Sequence, residues 1–472
     1  MNSLIETASP FPLEWIGTNP RAVEAALEKM SIEDQARLVD SLSGKQQRDL
    51  LTLSPRAMQV TRALPAESVY FMIKDWGEHD AMLLLDMVSP EQMQYFFDIE
   101  WWRGDRFRPD RALHWIRLYD LCGGSQLLEW FQTEDFDEKV MLLQALIKVY
   151  KRDEMTDTPE NVEGMEHFSP DGVYDIYFKV SEPAPIRKLL LLLRSEDESL
   201  FFSLMEAVIW YPLTPTVENA YRWRLVRTSE CGIPEFDEAF TIYSSLDAHW
   251  LSDESLAPEP VADEGSFRIG PRYPLMQLAP ESFFIQCLHG VASEERKNVI
   301  RWELINLANK VMVADRLDPA DFGQRKNAMD KVGGYVNIGL ELGASGDPER
   351  GRRLLERTWA RFLFQAGYAR LKELRWKAQK FLRDQGVLID YLITAEDKEQ
   401  LGALLLRFPR IASRDGSGER DLWRNFECME DVARMERFLE RGAFFSRFAR
   451  QGLNLSPESL ESALTQCFIP AH

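Results

Sequence analysis

The sequence of 472 residues is poor in the side chains on which most catalytic and metal chemistry depends. Its five cysteines, Cys122, Cys231, Cys287, Cys428 and Cys467, are scattered, odd in number and form no Cys-x-x-Cys pair. That argues against a disulfide framework and a thiolate zinc site, and fits free thiols in a reducing cytoplasm. Histidine is scarce, at six residues. There is no G-x-x-x-x-G-K loop and no H-E-x-x-H. Gly343-Ala344-Ser345-Gly346-Asp347 has the outline of a nucleophile elbow, but Asp347 stands where the last glycine is required, and the stretch lies between helical patterns. Gly333-Gly334 lacks the third glycine and the preceding strand of a dinucleotide site, and reads as a helix break. Long apolar runs are missing too: the leucine run Leu189 to Leu193 is far short of the ~20 residues that span a bilayer. The N-terminus has no basic region followed by an apolar one, so neither export by that route nor membrane integration is expected. Positive charge is the last shortage. Lys and Arg number 56 against 76 Asp and Glu, a net charge of −20, which repels phosphate backbones and disfavours nucleic acid as a general partner.

What is present is globular: 45% hydrophobic and 28% charged residues, with 13 Trp and 27 Phe to fill cores. The length predicts two or three units. Helix starts recur in the first hundred residues. Ser54-Pro55 and Ser89-Pro90 place a hydroxyl at the N-cap and proline at the first helical position; Pro65 precedes Ala66-Glu67, and Ser31 with Asp34 resembles a capping box. Short apolar periodic segments lie between them, and Ser31 to Ser54 and Pro65 to Ser89 span 23 and 24 positions. Two short helices fill such a unit, and one unit cannot bury its apolar face alone, so stacking is expected. Pro109 to Leu118 and Glu138 to Tyr150 read as helices. Val173 to Val180, rich in β-branched and aromatic residues after a Pro-Asp-Gly turn, reads as a strand, with Phe267-Arg268-Ile269 a candidate partner. Helices resume from Pro185 to Tyr211, from Thr216 to Thr228, and from Pro280 onward. The expected fold is mainly α: an armadillo-like helical-repeat superhelix over 1–150, a central mixed region with a small β element over 151–275, and a C-terminal helical domain over 276–472.

Charge is unevenly placed. Residues 228–267 hold ten Asp or Glu and no Lys or Arg, whereas 351–383 hold ten Lys or Arg against two Glu, with aromatics interleaved. Arg352, Arg353, Arg357, Arg361, Lys372 and Arg375 are candidate contacts for an acidic partner protein, or for a single strand of nucleic acid. The helical spacing of Leu371, Leu374, Ala378 and Leu382 equally fits a helix with its cations in water, matched by the acidic stretch of the same chain. Trp101, Trp102 and Arg103 are of the residue types that anchor interfaces, and also of the types that close a helical stack. In Tyr221-Arg222-Trp223-Arg224, the cations are placed to pair with Glu235, Asp237 and Glu238 or to line an anion pocket. Asp247 and His249, beside Asp253 and Glu254, are the candidate metal ligands, although Asp and His two apart on a loop also arise without a metal. No cofactor is implied.

Two resemblances bear on function. From Pro20 to Glu100, with Leu53-Ser54-Pro55, Leu64-Pro65-Ala66-Glu67 and Val88-Ser89-Pro90-Glu91, the chain resembles the N-terminal superhelix of MgtE-type magnesium transporters, a construction shared with flagellar rotor proteins of the FliG type. The membrane and CBS domains of that family are absent here, so the resemblance implies a cytosolic interaction or sensing role rather than transport. Over most of its length, through Tyr221 to Arg224, Gly232 to Ala239, Gly339-Leu340-Glu341 and Gly346 to Arg350, the chain resembles an uncharacterised bacterial family, a domain of unknown function, which supplies no activity. The expected role is a non-enzymatic interaction scaffold or regulator. A metal-dependent enzyme with its site in the central region, and nucleic-acid binding through 351–383, are the alternatives.

Overall fold

The computed structural model describes residues 10–42, 44–133, 135–152, 162–247, 281–318, 321–385, 394–413, 422–448 and 451. They form a mainly α protein with small antiparallel sheets. Two compact units emerge. Unit 1 holds the described residues up to Phe236 together with those of 315–325; unit 2 holds the described residues of 237–314 and from Lys326 onward.

Unit 1 opens with short helices: α1 (Trp15–Thr18), α2 (Pro20–Leu27), α3 (Ile32–Ser41), α4 (Gly44–Leu53), α5 (Ala57–Ala63), α6 (Ala66–Trp76), α7 (Met82–Leu85) and α8 (Pro90–Glu100). Their starts follow capping chemistry. Ser31 Oγ accepts from Asp34 N at 3.0 Å, and Ser89 forms a full capping box with Gln92. Ser54 departs from expectation: α5 begins at Ala57, because Ser54 Oγ is engaged in the core, donating to Gln35 Oε1 at 2.7 Å while accepting from Arg56 N.

Helix α8 is buried from Gln92 to Glu100 and is the centre of the unit. After it, Gly104 at φ +62° turns the hairpin of β1 (Trp102–Arg103) and β2 (Arg106–Phe107). Helices α9 (Pro109–Leu121), α10 (Ser125–Phe131) and α11 (Phe136–Leu146) follow. An aromatic cluster joins them: Phe97 stacks on Trp101 at 4.0 Å, and Trp130 meets both edge-on. Each such large apolar side chain contributes roughly 1.5–3 kcal/mol on burial.

The helix expected through Tyr150 stops at Leu146. Ile147-Lys148-Val149-Tyr150-Lys151 alternates buried and half-exposed and forms β3, which pairs with β5 (Tyr174–Phe178), itself flanked by β4 (His167–Phe168). β5 lies within the expected strand. Its partners are these local strands, and Phe267 to Ile269 fall outside the described residues. Strand β3 is paired with β5, and the described residues from 151 to 236 cluster with unit 1. Helices α12 (Ala184–Glu196), α13 (Glu198–Trp210) and α14 (Leu213–Glu230) complete the unit, with Asp197 capping α13 through Leu200 N.

Unit 2 contains most of α15 (Phe236–Phe240), a 3-10 turn Thr241–Tyr243, α16 (Phe283–Gly290), α17 (Glu294–Ala314), α18 (Phe322–Ala344, from Lys326 on), α19 (Pro348–Arg357), α20 (Ala360–Gln385), α21 (Ala395–Leu405), the pair β6 (Ile411–Ser413) and β7 (Leu422–Arg424), and α22 (Met429–Arg447). Gly333 and Gly334 do not break α18. A Cβ at Gly334 would lie 1.9 Å from the Phe426 carbonyl oxygen, and one at Gly339 1.9 Å from that of Leu363, so glycine here permits backbone contact. The start expected at Pro280 is set instead by Ser282, which caps α16. Ser345 and Gly346, both at positive φ, end α18, and Asp347 caps α19. The break expected at 415–418, and the start at Ser456, lie outside the described residues. Among the described residues, no helix is long and apolar enough to cross a membrane.

Candidate binding sites

The inner face of α8 carries Gln94 and Asp98 one turn apart, and both are buried. Gln94 is a junction. Its Oε1 accepts from Trp130 Nε1 at 2.8 Å, and its Nε2 donates to Asp98 Oδ1 at 3.2 Å and Glu138 Oε2 at 2.9 Å. Arg227 of α14 grips Asp98 in bidentate fashion, with Nε and Nη2 each at 2.8 Å, and Nη2 also reaches Glu138 Oε2 at 2.9 Å. Its Nη1 donates to Asp135 at 3.2 Å. Arg224, one turn earlier, donates to the Asp98 carbonyl at 2.7 Å and lies over the Trp102 ring at 5.7 Å.

Burial and the neighbouring Asp98 charge push the Glu138 carboxyl up to about 8, so it holds its proton at neutral pH. Burial likewise raises Asp98, against the pull of Arg227. Burial works against the Arg227 cation, yet its hydrogen bond to Asp98 and the surrounding carboxylates hold it above its ordinary value.

A second polar group lies on the far side of α8. Glu100 accepts from Tyr70 Oη at 2.7 Å and pairs with Lys74 and Arg111, while Glu78, held down to about 2 chiefly by its hydrogen bond with His114, closes the set. Arg325 stacks over Tyr70 and Phe71 at 4.8 and 4.7 Å and donates to Tyr95 Oη at 3.2 Å. A pocket of about 880 Å³ opens between the first turns of α3, α6 and α8 and the end of α14, with Arg62, Gln92, Tyr95, Asp98, Arg227 and Cys231 in its wall. Burial and then Glu67 push the Cys231 thiol up to about 12, which makes it inert as a nucleophile. Around this pocket the charged groups of the Arg227 network are spent on one another, as in a structural keystone.

The residues singled out by sequence are distributed as follows. Trp101 and Trp102 are fully buried in the aromatic cluster and have no surface to offer in this conformation, whereas Arg103 is exposed on β1. Arg352 pairs with Glu349 and Glu356 on its own helix. Arg353 and Arg357 are exposed on α19, and Arg361 lies 4.6 Å from the Phe362 ring. Lys372 donates to Ser245 Oγ at 3.1 Å, and Arg375 to the Leu405 carbonyl at 3.1 Å. The start of the acidic stretch therefore meets α20, through this bond, through Gln365 to Ser244 Oγ at 2.7 Å, and through the Tyr243 ring 5.0 Å from Tyr368. Asp247 is exposed, His249 lies outside the described residues, and no group of three potential metal ligands occurs among the described residues. Arg224 turns to Asp98 and Trp102 rather than to Glu235, Asp237 or Glu238. Arg227 and its three carboxylates carry no local sequence signal, because the partners lie 89 to 129 positions away.

Large apolar side chains are exposed as well. At the end of α13 and along α14, Trp210 is 63% exposed, Leu213 58% and Trp223 56%, with Tyr211 and Val226 also exposed. Trp223 and Val226, three apart, share the outer face of α14, whose inner face buries Ala220, Arg224 and Thr228.

Residues 24–468 match a family described as a family of unknown function, DUF6178. The chain belongs to that family. No curated protein and no solved structure matches it, so the resemblance to MgtE-type and FliG-type proteins has no match behind it.

Proposed function

We propose that this DUF6178 protein is a non-enzymatic interaction module of the cytoplasm that docks a partner protein through the α13–α14 surface of unit 1. One observation carries the reading: two tryptophans and a leucine, each more than half exposed, cluster within fourteen positions of sequence (Trp210, Leu213, Trp223). Large exposed apolar side chains in sequence-adjacent elements mark interaction sites, and tryptophan is the residue most enriched at binding hot spots. The stacking of short helices in unit 1 supports the reading as a rigid support for that surface. The basic helices α19 and α20 are the second surface of the same reading, through Arg353 and Arg357.

The test is co-purification of the tagged full chain from its native cell, with stoichiometry read by light scattering. The expected result is a stoichiometric protein partner that is lost when Trp210 and Trp223 are both changed to Ser, with the helical signal in circular dichroism unchanged. A partner that survives this change but is lost on reversing Arg353 and Arg357 to Glu would move the docking surface to unit 2. No stoichiometric protein partner under any gentle condition would refute the reading.

A further inference from the structure

Residues 238–245 lie across unit 2 as a strap. Their burial is one-sided: Ala239, Ile242 and Tyr243 are buried, whereas Glu238, Thr241, Ser244 and Ser245 are exposed. The strap consists of the end of the five-residue helix α15 and the 3-10 turn Thr241–Tyr243. Helical pieces this short are not stable by themselves, so the strap takes its shape from the surface under it. Long side chains of that surface reach out to it. Gln365 of α20 donates to the Thr241 carbonyl at 3.4 Å and to Ser244 Oγ at 2.7 Å, Lys372 donates to Ser245 Oγ at 3.1 Å, and Lys310 of α17 pairs with Glu238 at 3.2 Å.

Tyr243 is the anchor of the strap. Its ring lies 4.4 Å from that of Phe408, 5.0 Å from Tyr368 and 5.8 Å from Phe364. Lys331 of α18 is buried beside it, and its Nζ donates to Tyr243 Oη at 2.6 Å. The same ammonium lies over the rings of Phe408, Tyr243 and Tyr335, at 3.4, 4.8 and 5.6 Å. Ring faces stabilise a buried cation, and the phenol oxygen of the strap adds a hydrogen bond. A site that gives a hydrogen bond to a hydroxyl discriminates against the same ring without one, because a buried donor then loses an acceptor. This seat therefore favours tyrosine over phenylalanine.

A buried aromatic anchor, exposed residues on either side and bonds from long side chains are the features of a short peptide bound in a groove. We infer that α18, α20 and the Phe408 segment between α21 and β6 form a receptor groove for a tyrosine-anchored segment of a partner protein, which residues 238–245 of the chain itself fill in cis as a releasable strap. Strap and groove both belong to unit 2, so this groove stands or falls independently of the α13–α14 surface. A tethered strap acts at a high effective concentration, which keeps the groove closed to segments that lack the anchor. The strap also defines the chemistry of the segment that replaces it. Tyrosine sits at the seat with an apolar residue before it, hydroxyl residues follow within reach of Gln365 and Lys372, and a carboxylate stands five positions ahead, toward Lys310.

The probe is a fluorescein-labelled, end-capped peptide of residues 236–247, titrated with the full chain and followed by anisotropy. The parent, whose groove is filled, should bind it at least about a hundredfold more weakly than a variant in which Ile242 and Tyr243 are both changed to Ser. Phenylalanine in place of the peptide's tyrosine should weaken binding to that variant by about tenfold or more. No saturable binding to the variant, equal binding to parent and variant, or indifference to the tyrosine hydroxyl overturns the proposal. Loss of the variant's helical signal in circular dichroism overturns it too, because unit 2 does not need a releasable strap in order to fold. A second measurement leaves Tyr243 in place. Ile242→Cys puts a buried thiol in the strap, and the native Cys287, buried in α16 of the same unit, is the reference. Maleimide labelling, read by mass spectrometry, is expected at position 242 at least about tenfold faster than at Cys287. Equal rates would mean that the strap opens only when the unit unfolds, and would sink the idea. A parent dimer in light scattering that disappears in the Ile242 and Tyr243 variant assigns the groove to the strap of a second copy and overturns the contact in cis.

Discussion

At the scale of single residues, the most consequential group is Glu138, a carboxyl that keeps its proton where ordinary glutamates have lost theirs. Its folded value of about 8, set by burial and by Asp98, lies above the unfolded value near 4.5. Below about 4.5 the group is protonated in both states and adds no pH dependence. Between about 4.5 and 8 the unfolded chain releases the proton while the folded one retains it, so raising the pH favours unfolding; above 8 both states are ionised and the penalty is complete. Glu138→Gln keeps the shape and removes the titration. Urea unfolding followed by tryptophan fluorescence at pH 5, 6.5 and 8 should show unit 1 losing stability with pH in the parent and a flatter profile in the variant. Equal slopes would mean that Glu138 is ionised in the fold. Asp98 is the complementary case. Asp98→Ala leaves Arg227 without its main acceptor, while Arg224 keeps the main-chain carbonyl of residue 98, and breaking a buried pair from one side costs roughly 3–5 kcal/mol. A loss below about 1 kcal/mol in the same denaturation would show that Asp135 and Glu138 suffice to hold Arg227.

At the scale of elements, glycine separates two opposite effects that composition alone cannot tell apart. Gly339 of α18 lets the Leu363 carbonyl of α20 approach to where a Cβ would stand, 1.9 Å away, whereas Gly402 of α21 has nothing within 4 Å. Gly339→Ala forces two backbones apart and should destabilise unit 2 by about 1–3 kcal/mol. Gly402→Ala should instead stabilise it by about 0.5–1 kcal/mol, since alanine restricts the unfolded chain and fits the helix. Thermal melts of the two variants that moved in the same direction would refute this account. The contrast also explains what could be read in advance. Caps are local, so Ser31 with Asp34 and Ser89 with Gln92 announce α3 and α8, and the β-branched and aromatic run marks β5. Gly333-Gly334 reads as a break because propensity knows nothing of a neighbour's carbonyl. β3 is hidden because the helical spacing of α11 runs without a turn signal into Ile147. The Arg227 network is non-local in the same way: Arg224 has acidic residues close by in sequence, and the fold gives it Asp98 instead.

At the scale of the whole molecule, the division into two units has a thermodynamic consequence. The polar keystone of Asp98, Glu138 and Arg227 lies within unit 1, and the glycine-mediated contacts of α18 with α20 lie within unit 2. Neither set of interactions contains a group from the other unit, so each should report on its own cooperative transition. A chain of this length that divides into two compact units is not expected to unfold in a single two-state step. Differential scanning calorimetry of the parent should resolve two transitions. For units of this size, 1 kcal/mol shifts a midpoint by roughly 2–4 °C, so Asp98→Ala should lower one transition by about 6–20 °C and leave the other in place. Gly339→Ala should lower the second by a few degrees and leave the first. If each variant shifts both transitions together, or if one transition moves as a whole, the units are energetically coupled, and the α13–α14 surface of unit 1 would then respond to changes made in unit 2. Two independent shifts would instead mean that unit 1 carries the α13–α14 surface on a core whose stability is its own.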